Sequence, residues 1–138
     1  MTDMRLIVAG AGGRMGRTLV KAIAETEGVT LAGALEGPGS PFLGQDSGLL
    51  AGIGENGIPI GADVKALAGK ADAVIDFTTP QATVALAVLA AQAGIIHVIG
   101  TTGLSEGDEA KLKDTAKSAV IVKSGNMSLG VNLLAALA

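Results

Sequence analysis

The sequence contains no cysteine, no tryptophan and no tyrosine, and only one histidine among its 138 residues. Without cysteine it has neither a disulfide framework nor a thiolate metal site, which is typical of a reducing compartment such as the cytoplasm. The formal net charge is −3, so a basic stripe for nucleic acid is missing along with the stacking aromatics. We therefore predict no nucleic-acid partner and no metal site.

Long uninterrupted apolar runs are also missing, although 49% of the residues are hydrophobic. The most apolar stretch, residues 82–99, is broken by Gln92, Gly94 and His97. It falls short of the roughly 20 apolar residues that a spanning helix needs, and it is better interpreted as a buried helix followed by a strand. The first residues do not resemble an export signal. We expect a cytoplasmic protein with no membrane partner.

Short aliphatic runs alternate with helical segments, which predicts an α/β fold: a Rossmann-like, doubly wound parallel sheet with helices on both faces. At this length one domain is expected. Five strands are predicted, at residues 6–9, 29–35, 73–77, 95–99 and 120–123. Each is so apolar that all five are expected to be buried.

Three helices are predicted between these strands, at residues 13–26, 80–93 and from Ser105 through Ala116. The first places Met15, Leu19 and Ile23 on one face, as expected of a helix that covers a sheet. In the third, Asp108 follows Ser105 at the spacing of a capping box. Residues 36–60 are rich in glycine with little periodicity, which predicts a long surface loop.

The first strand is followed at once by Gly10-Ala11-Gly12-Gly13-Arg14-Met15-Gly16. The familiar Gly-x-Gly-x-x-Gly pattern would need glycine where Met15 stands, so the better match is a variant with Gly10, Gly13 and Gly16. Such a turn lets the backbone approach a pyrophosphate, and the helix N-terminus favours its negative charge. The alternative is a tight turn whose glycines serve packing only.

Glu36 lies at the end of the second predicted strand, 20 residues beyond Gly16. A carboxylate at this position can accept hydrogen bonds from the ribose hydroxyls of an adenosine. Alone, Glu36 would be better interpreted as a solvated residue that opens a loop. Together with the glycine-rich turn, it predicts a dinucleotide site.

Four segments resemble successive signatures of the dihydrodipicolinate reductases, in order and along essentially the whole chain. They are residues 8–17 (VAGAGGRMGR), 76–80 (DFTTP), 100–103 (GTTG) and 126–132 (NMSLGVN). The resemblance implies an NAD(P)H-dependent reduction of 4-hydroxy-tetrahydrodipicolinate to tetrahydrodipicolinate in diaminopimelate and lysine biosynthesis. It also implies a homotetramer for the full-length protein.

The resemblance also implies a set of cofactor-binding residues. Gly10, Ala11, Gly12, Gly13, Arg14 and Met15 line the pyrophosphate, Glu36 holds the adenosine ribose, and Gly100, Thr101, Thr102, Ser124, Gly125, Asn126 and Met127 flank the nicotinamide, with Phe77 and Thr78 close by. For Arg14, a solvated position is an equal alternative. For Asn126, the alternative is a helix cap.

Two features depart from the family's pattern. Gly37 stands where members that use NADPH well often carry an arginine for the 2′-phosphate, so we predict NADH as the preferred cofactor and NADPH as a weaker one. The family's substrate and tetramerisation domain, with its proton donor, is expected beyond Ala138, so no catalytic residue is assigned and these residues alone are expected to be inactive. Residues 1–127 are then the dinucleotide-binding domain, and residues 128–138 begin an interdomain helix.

Two further residues and two other functions complete the predictions. His97, inside an apolar strand, is expected to be a core histidine or a neutral bystander, and Asp76 is expected to tie down a loop through nearby amides. A non-catalytic nucleotide- or coenzyme A-binding module could use the same turn, although Glu36 argues against coenzyme A. Another nicotinamide oxidoreductase with a different substrate domain is the remaining alternative.

Overall fold

The computed structural model describes residues 3–123, which form six strands, four α-helices and one 3₁₀ turn. In chain order these are β1 (Met4–Ala9), α1 (Arg14–Ala24), β2 (Val29–Leu35), α2 (Ser47–Ala51), β3 (Ile60–Gly61), the 3₁₀ turn (Val64–Leu67), β4 (Ala73–Asp76), α3 (Pro80–Ala93), β5 (Ile96–Ile99), α4 (Glu106–Thr115) and β6 (Ile121–Lys123). The predictions for Ser124, Gly125, Asn126 and Met127, and for the interdomain helix at 128–138, lie outside the described residues.

The strands form one parallel sheet in the order β3-β2-β1-β4-β5-β6. The chain runs outward from β1 through β2 to β3, then returns to the other side of β1 and continues through β4, β5 and β6. This strand order is that of the Rossmann fold, and the predicted doubly wound sheet is confirmed. The strand order reverses between β1 and β4, so the loops after these two strands diverge and leave a crevice at the carboxyl ends.

Successive residues of β1 supply the two faces of the core. Leu6 and Val8 belong to the cluster that α1 covers, together with Leu19, Val20 and Ile23. Ile7 and Ala9 belong to the cluster on the opposite face, which α3 covers. Because a helix lies on each face, β1 is buried along most of its length, which explains its lack of polar alternation.

The expectation that all five predicted strands are buried is wrong for β6 and for part of β2. Val122 of β6 and Val120 just before it are 37% and 58% exposed. In β2, Thr30 is exposed and the next two residues are half-buried. β6 has β5 as its only neighbour in the described sheet, so less of its surface is covered. Met15, predicted on the buried face of α1, is 45% exposed because the helix buries Gly16, Leu19 and Val20 instead.

The segment at residues 36–60 is more ordered than the predicted surface loop. It contains α2 and leads into β3, and the carboxylate of Asp46 organises it by accepting hydrogen bonds from the amides of Leu49, Asn56 and Gly57. A five-residue helix and a two-residue strand are too short to produce a periodic pattern, so the sequence did not predict them. Among the described helices, none is long and apolar enough to cross a membrane.

Candidate functional site

The glycine-rich turn joins β1 to α1, and backbone carbonyl oxygens leave no space for a side chain at two of its positions. Gly10 has a positive φ of 83°, and a Cβ there would lie 2.9 Å from the carbonyl oxygen of Phe77. A Cβ on Gly16 would lie 2.0 Å from the carbonyl oxygen of Gly10, so helix α1 packs directly against the turn. At Gly13 the only near atom is the Gly10 carbonyl oxygen at 3.4 Å, which is ordinary contact. Gly10 and Gly16 therefore fix the turn, whereas Gly13 borders open space.

Helix α1 begins without a side-chain cap. Gly13 occupies its N-cap position, and no side-chain cap accepts from the first-turn amides. The other described helices, α2, α3 and α4, are capped by the side chains of Asp46, Thr79 and Ser105. In α4 the predicted capping box with Asp108 is confirmed. The uncapped amides of α1, beside exposed Gly13, are available to an anionic group outside the helix.

The end of β2 is tied to the turn by hydrogen bonds. The carbonyl oxygen of Leu35 accepts from the amides of Gly10 at 2.9 Å and Ala11 at 3.1 Å. One residue later, Oε2 of Glu36 accepts from the amide of Gly12 at 2.8 Å. The amides of Ala11 and Gly12 are therefore already hydrogen-bonded, to Leu35 of β2 and to Glu36 just after it. The amides in the first turn of α1 remain available to a ligand.

Phe42 and Arg17 support the turn from behind, and the sequence did not predict either. A Cβ on Gly12 would lie 2.3 Å from the Phe42 ring. The Arg17 guanidinium lies 5.0 Å from the centroid of that ring, and its Nε donates to the Gly12 carbonyl oxygen at 2.8 Å. Phe42 lies in a segment without periodicity, so no sequence signal links it to the turn. Gly12 is needed for packing against a ring.

Two cavities lie along the carboxyl ends of the strands and share Gly10 and Thr78. The first has a volume of about 300 Å³ and is bordered by Glu36, Gly37 and Pro38 on one side and by Val64, Ala82, Ala85, Leu86 and Leu89 on the other. The second has a volume of about 520 Å³ and is lined by Gly13, Arg14, Met15, Gly16, Phe77, Gly100, Thr101 and Thr102. Because they share two lining residues, the cavities adjoin each other along the ends of β2, β1, β4 and β5, and the pair is called the groove below.

The groove brings together most of the predicted cofactor-binding residues. Ala11 and Gly12 line neither cavity, and Ala11 is 1% exposed in the core. The apolar wall that α3 contributes, including Leu86 and Leu89, was missed because these residues also fit an ordinary sheet-covering helix. Within residues 3–123 no group of three or more acidic, histidine or cysteine side chains is placed to hold a metal ion.

A buried polar cluster lies directly beneath the second cavity. Asp76, at the end of β4, is fully buried, and its Oδ2 lies 2.8 Å from Nε2 of His97, which is 1% exposed. Its Oδ1 accepts from the amide of Thr78 at 2.9 Å and from the Thr78 hydroxyl at 2.6 Å. The predictions of a core histidine and of a loop held by Asp76 are confirmed. His97 is not a bystander, because it contacts the same carboxylate.

Asp76 is held in its ionised form by these contacts. Burial alone raises the pKa of the Asp76 carboxyl, because it disfavours the charged form. The hydrogen bonds from His97 and Thr78 outweigh this effect and hold the pKa below its ordinary value. A carboxylate that is buried and ionised accepts hydrogen bonds and donates none.

The strand order, the glycine-rich turn and the groove define the class of the domain, which is a Rossmann-type α/β domain. Residues 4–127 match the family described as "Dihydrodipicolinate reductase, N-terminus". The chain therefore belongs to the dihydrodipicolinate reductase family. It is 65% identical over 137 residues to the 4-hydroxy-tetrahydrodipicolinate reductase of Afipia carboxidovorans, covering 99% of this chain and 50% of that protein. It thus spans about half the length of the curated relatives it matches.

Solved structures share the fold. A dipicolinate-bound dihydrodipicolinate reductase from Paenisporosarcina sp. TG-14 superposes with a TM-score of 0.70 at 22% identity, over 96% of this chain and 51% of that one. The WlbA dehydrogenase of Chromobacterium violaceum, solved with NADH and UDP-GlcNAcA, gives a TM-score of 0.67 at 15% identity, over 90% of this chain and 35% of that one. At these identities the likeness supports the Rossmann-type architecture.

Proposed function

We propose that this domain binds a nicotinamide dinucleotide, with NADH preferred over NADPH. We further propose that it is the cofactor-binding half of a reductase that converts 4-hydroxy-tetrahydrodipicolinate to tetrahydrodipicolinate. The observation that carries the proposal is the groove, which runs from Glu36 past the uncapped N-terminus of α1 to Thr101. Its order of an acid, free amides and a polar end matches the order of ribose, pyrophosphate and nicotinamide in the cofactor.

The first cavity suits the adenosine end. Leu86 and Leu89 of α3 offer an apolar surface to a flat base, and Glu36 borders the same space with a carboxylate. Oε2 of Glu36 accepts from Gly12, and a carboxylate has further lone pairs for the two ribose hydroxyls. Glu36 would then join the ribose to the glycine-rich turn.

The pyrophosphate is assigned to the N-terminus of α1. The amides of its first turn have no side-chain acceptor, and the helix dipole favours an anion there. Arg14 lines the same cavity and adds a positive charge. These features favour a phosphate ligand over the packing-only interpretation of the turn.

The preference for NADH is proposed from the region around Glu36. A 2′-phosphate on the ribose would bring its charge against the Glu36 carboxylate, which accepts from only one described amide. Gly37 follows, and no atom lies within 4 Å of the position of a Cβ there. No guanidinium projects from this position to pair with a phosphate.

The second cavity is assigned to the nicotinamide, which supplies a hydride when the cofactor is bound. Phe77, Gly100 and Thr101 lie at the carboxyl ends of β4 and β5 and border this space. The named relatives are about twice as long as this chain, so the substrate and its proton donor are assigned to the rest of such a reductase. We expect these 138 residues to bind the cofactor without turnover.

The proposal is tested by calorimetric titration of the chain with NADH and NADPH, alongside Arg14→Ala and, as a matched control on the far surface, Lys117→Ala. We expect NADH to bind more tightly than NADPH and Arg14→Ala to weaken both, because both carry the pyrophosphate. Lys117→Ala should leave both affinities unchanged. Reduction of 4-hydroxy-tetrahydrodipicolinate is assayed in the same samples and in a full-length reductase that contains this domain.

A folded chain that binds neither nucleotide would contradict the cofactor assignment. Binding of coenzyme A in place of both would favour a non-catalytic module. A full-length reductase that binds the cofactor but does not reduce 4-hydroxy-tetrahydrodipicolinate would support the proposed cofactor site and contradict the proposed substrate.

A further inference from the structure

The buried Asp76–His97 pair is connected to the groove through threonine hydroxyls. The Thr78 hydroxyl donates to Oδ1 of Asp76 at 2.6 Å, and the Thr101 hydroxyl lies 3.3 Å from the same oxygen. Thr78 and Thr101 both line the second cavity, whereas Asp76 and His97 are buried behind it. The pair therefore contacts the wall of the groove from the protein side.

A third hydroxyl determines the direction of the hydrogen bonds. Thr83, fully buried in the first turn of α3, donates its single proton to Oγ1 of Thr101 at 2.7 Å. Thr101 then has its own proton for Asp76, which accepts but cannot donate while it is ionised. The proton of Thr78 is likewise directed to Asp76. Both hydroxyls on the groove wall thus direct their protons to Asp76 and keep acceptor lone pairs, one of which in Thr101 already accepts from Thr83.

His97 helps to keep the Asp76 carboxylate ionised. It is held on β5, one strand over from Asp76, and its ring contacts the oxygen that the threonines leave free. Among the described residues Nδ1 of His97 has no hydrogen-bond partner and is buried. Nε2 is therefore the ring nitrogen that donates, and Oδ2 of Asp76 accepts.

We propose that Asp76 and His97 are positioning residues, which hold the hydroxyls of Thr78 and Thr101 as acceptors for the nicotinamide end of the bound cofactor. This inference rests on the proposed function, since it takes the second cavity as the nicotinamide site. The carboxamide of nicotinamide carries N–H donors, which are the complement of two fixed acceptors. ADP-ribose lacks this group but retains the adenosine and the pyrophosphate. Its binding is therefore expected not to depend on the Asp76–His97 pair.

The experiment compares the affinities of NADH and ADP-ribose in wild-type protein, His97→Leu and His97→Gln by calorimetry. Leucine fills the buried space without a donor, whereas glutamine restores an N–H group. We expect His97→Leu to weaken NADH binding about five- to tenfold and ADP-ribose binding by less than about twofold. His97→Gln should recover most of the NADH affinity. Circular dichroism and thermal melting establish that each variant is folded.

A second measurement uses wild-type protein and does not depend on the variants. His97 is the only histidine, so the imidazole signals in a long-range ¹H–¹⁵N spectrum belong to it alone. We expect a ring protonated at Nε2, whose signals shift on saturation with NADH and stay in place with ADP-ribose.

Each outcome separates this inference from the proposed function. Equal losses for the two ligands, no loss in His97→Leu, or identical spectra with both ligands would overturn the positioning role. Wild-type protein that binds NADH no more tightly than ADP-ribose would also overturn the positioning role. The proposed adenosine and pyrophosphate sites would be unaffected. Wild-type protein that binds neither ligand would overturn the proposed function itself.

Discussion

The amide of Gly12 donates to the carboxylate of Glu36 across 2.8 Å, which joins the glycine-rich turn to the residue that we assign to the ribose. The two residues lie 24 positions apart in the chain and meet because β1 and β2 are parallel neighbours. Under the proposed function Glu36 has two tasks, one in holding the turn and one in contacting the cofactor. Substitutions that separate these tasks are the sharpest tests of the site.

Glu36→Gln is expected to reduce the preference for NADH. Glutamine keeps an acceptor for Gly12 and for the ribose but removes the negative charge that opposes a 2′-phosphate. NADPH affinity should rise several-fold, while NADH affinity should fall by about twofold. Glu36→Ala is the comparison: it also removes the acceptor for Gly12, so it should weaken both nucleotides and lower the thermal stability. Unchanged discrimination in Glu36→Gln, measured by calorimetry, would contradict the role of the charge.

Gly37→Arg is expected to increase NADPH affinity about tenfold with little change for NADH. The position is open and its φ is not in the left-handed region, so an arginine fits without strain and can pair with the 2′-phosphate. Gly39→Arg is the matched control, because Gly39 is equally open but does not line the cavity. If both variants improve NADPH binding equally, the gain comes from added positive charge in general. The placement of the 2′-phosphate beside Gly37 would then be contradicted.

Gly16→Ala and Gly13→Ala are expected to differ although both lie in the turn. A methyl group on Gly16 would overlap the Gly10 carbonyl oxygen, so unfolding free energy should fall by about 3 kcal/mol. A methyl group on Gly13 meets no such atom, and stability should fall by about 1 kcal/mol or less. Because Gly13 borders the cavity, its alanine variant should still weaken NADH binding. Denaturant unfolding and calorimetry measure the two effects, and equal destabilisation would be inconsistent with this packing.

Thermal stability is expected to fall as the pH drops below about 4, near the ordinary pKa of an aspartate. The side-chain hydrogen bond from Arg5, joined by its backbone amide, holds the pKa of Asp72 below that value. Between the lowered folded pKa and the unfolded pKa, the unfolded chain binds more protons, so acid favours unfolding. Asp46, Asp76 and Asp108 also have lowered pKa values and act in the same direction.

Asp72→Asn provides the control for this pH dependence. It removes one contributing carboxylate on the surface, so the melting temperature should decrease slightly at pH 7 and depend less steeply on pH below 4. Melting curves between pH 3 and pH 7 measure both effects. A melting temperature that rises on acidification would contradict the direction assigned to these groups.

Much of the fold could be predicted from local patterns in the sequence. The helix at residues 80–93 was predicted with the bounds it has, because Pro80 can begin a helix and Gly94 ends it with a positive φ. The capping box of Ser105 and Asp108 is likewise local. In contrast, α2 and β3 are stabilised by contacts such as those of Asp46, and such short elements leave no periodic signal. The exposure of β6 depends on its place in the sheet, which apolar composition does not encode.

By itself the sequence determined the alternation of strands and helices, the glycine-rich turn and the acid that follows β2, since these depend on residue type and near neighbours. Only the tertiary structure decided that Phe42 lies over Gly12, and that His97 holds the carboxylate beneath the groove. These contacts join residues that are distant in the chain. Sheet register and loop packing bring these residues together, and neither can be predicted from a local pattern of residues.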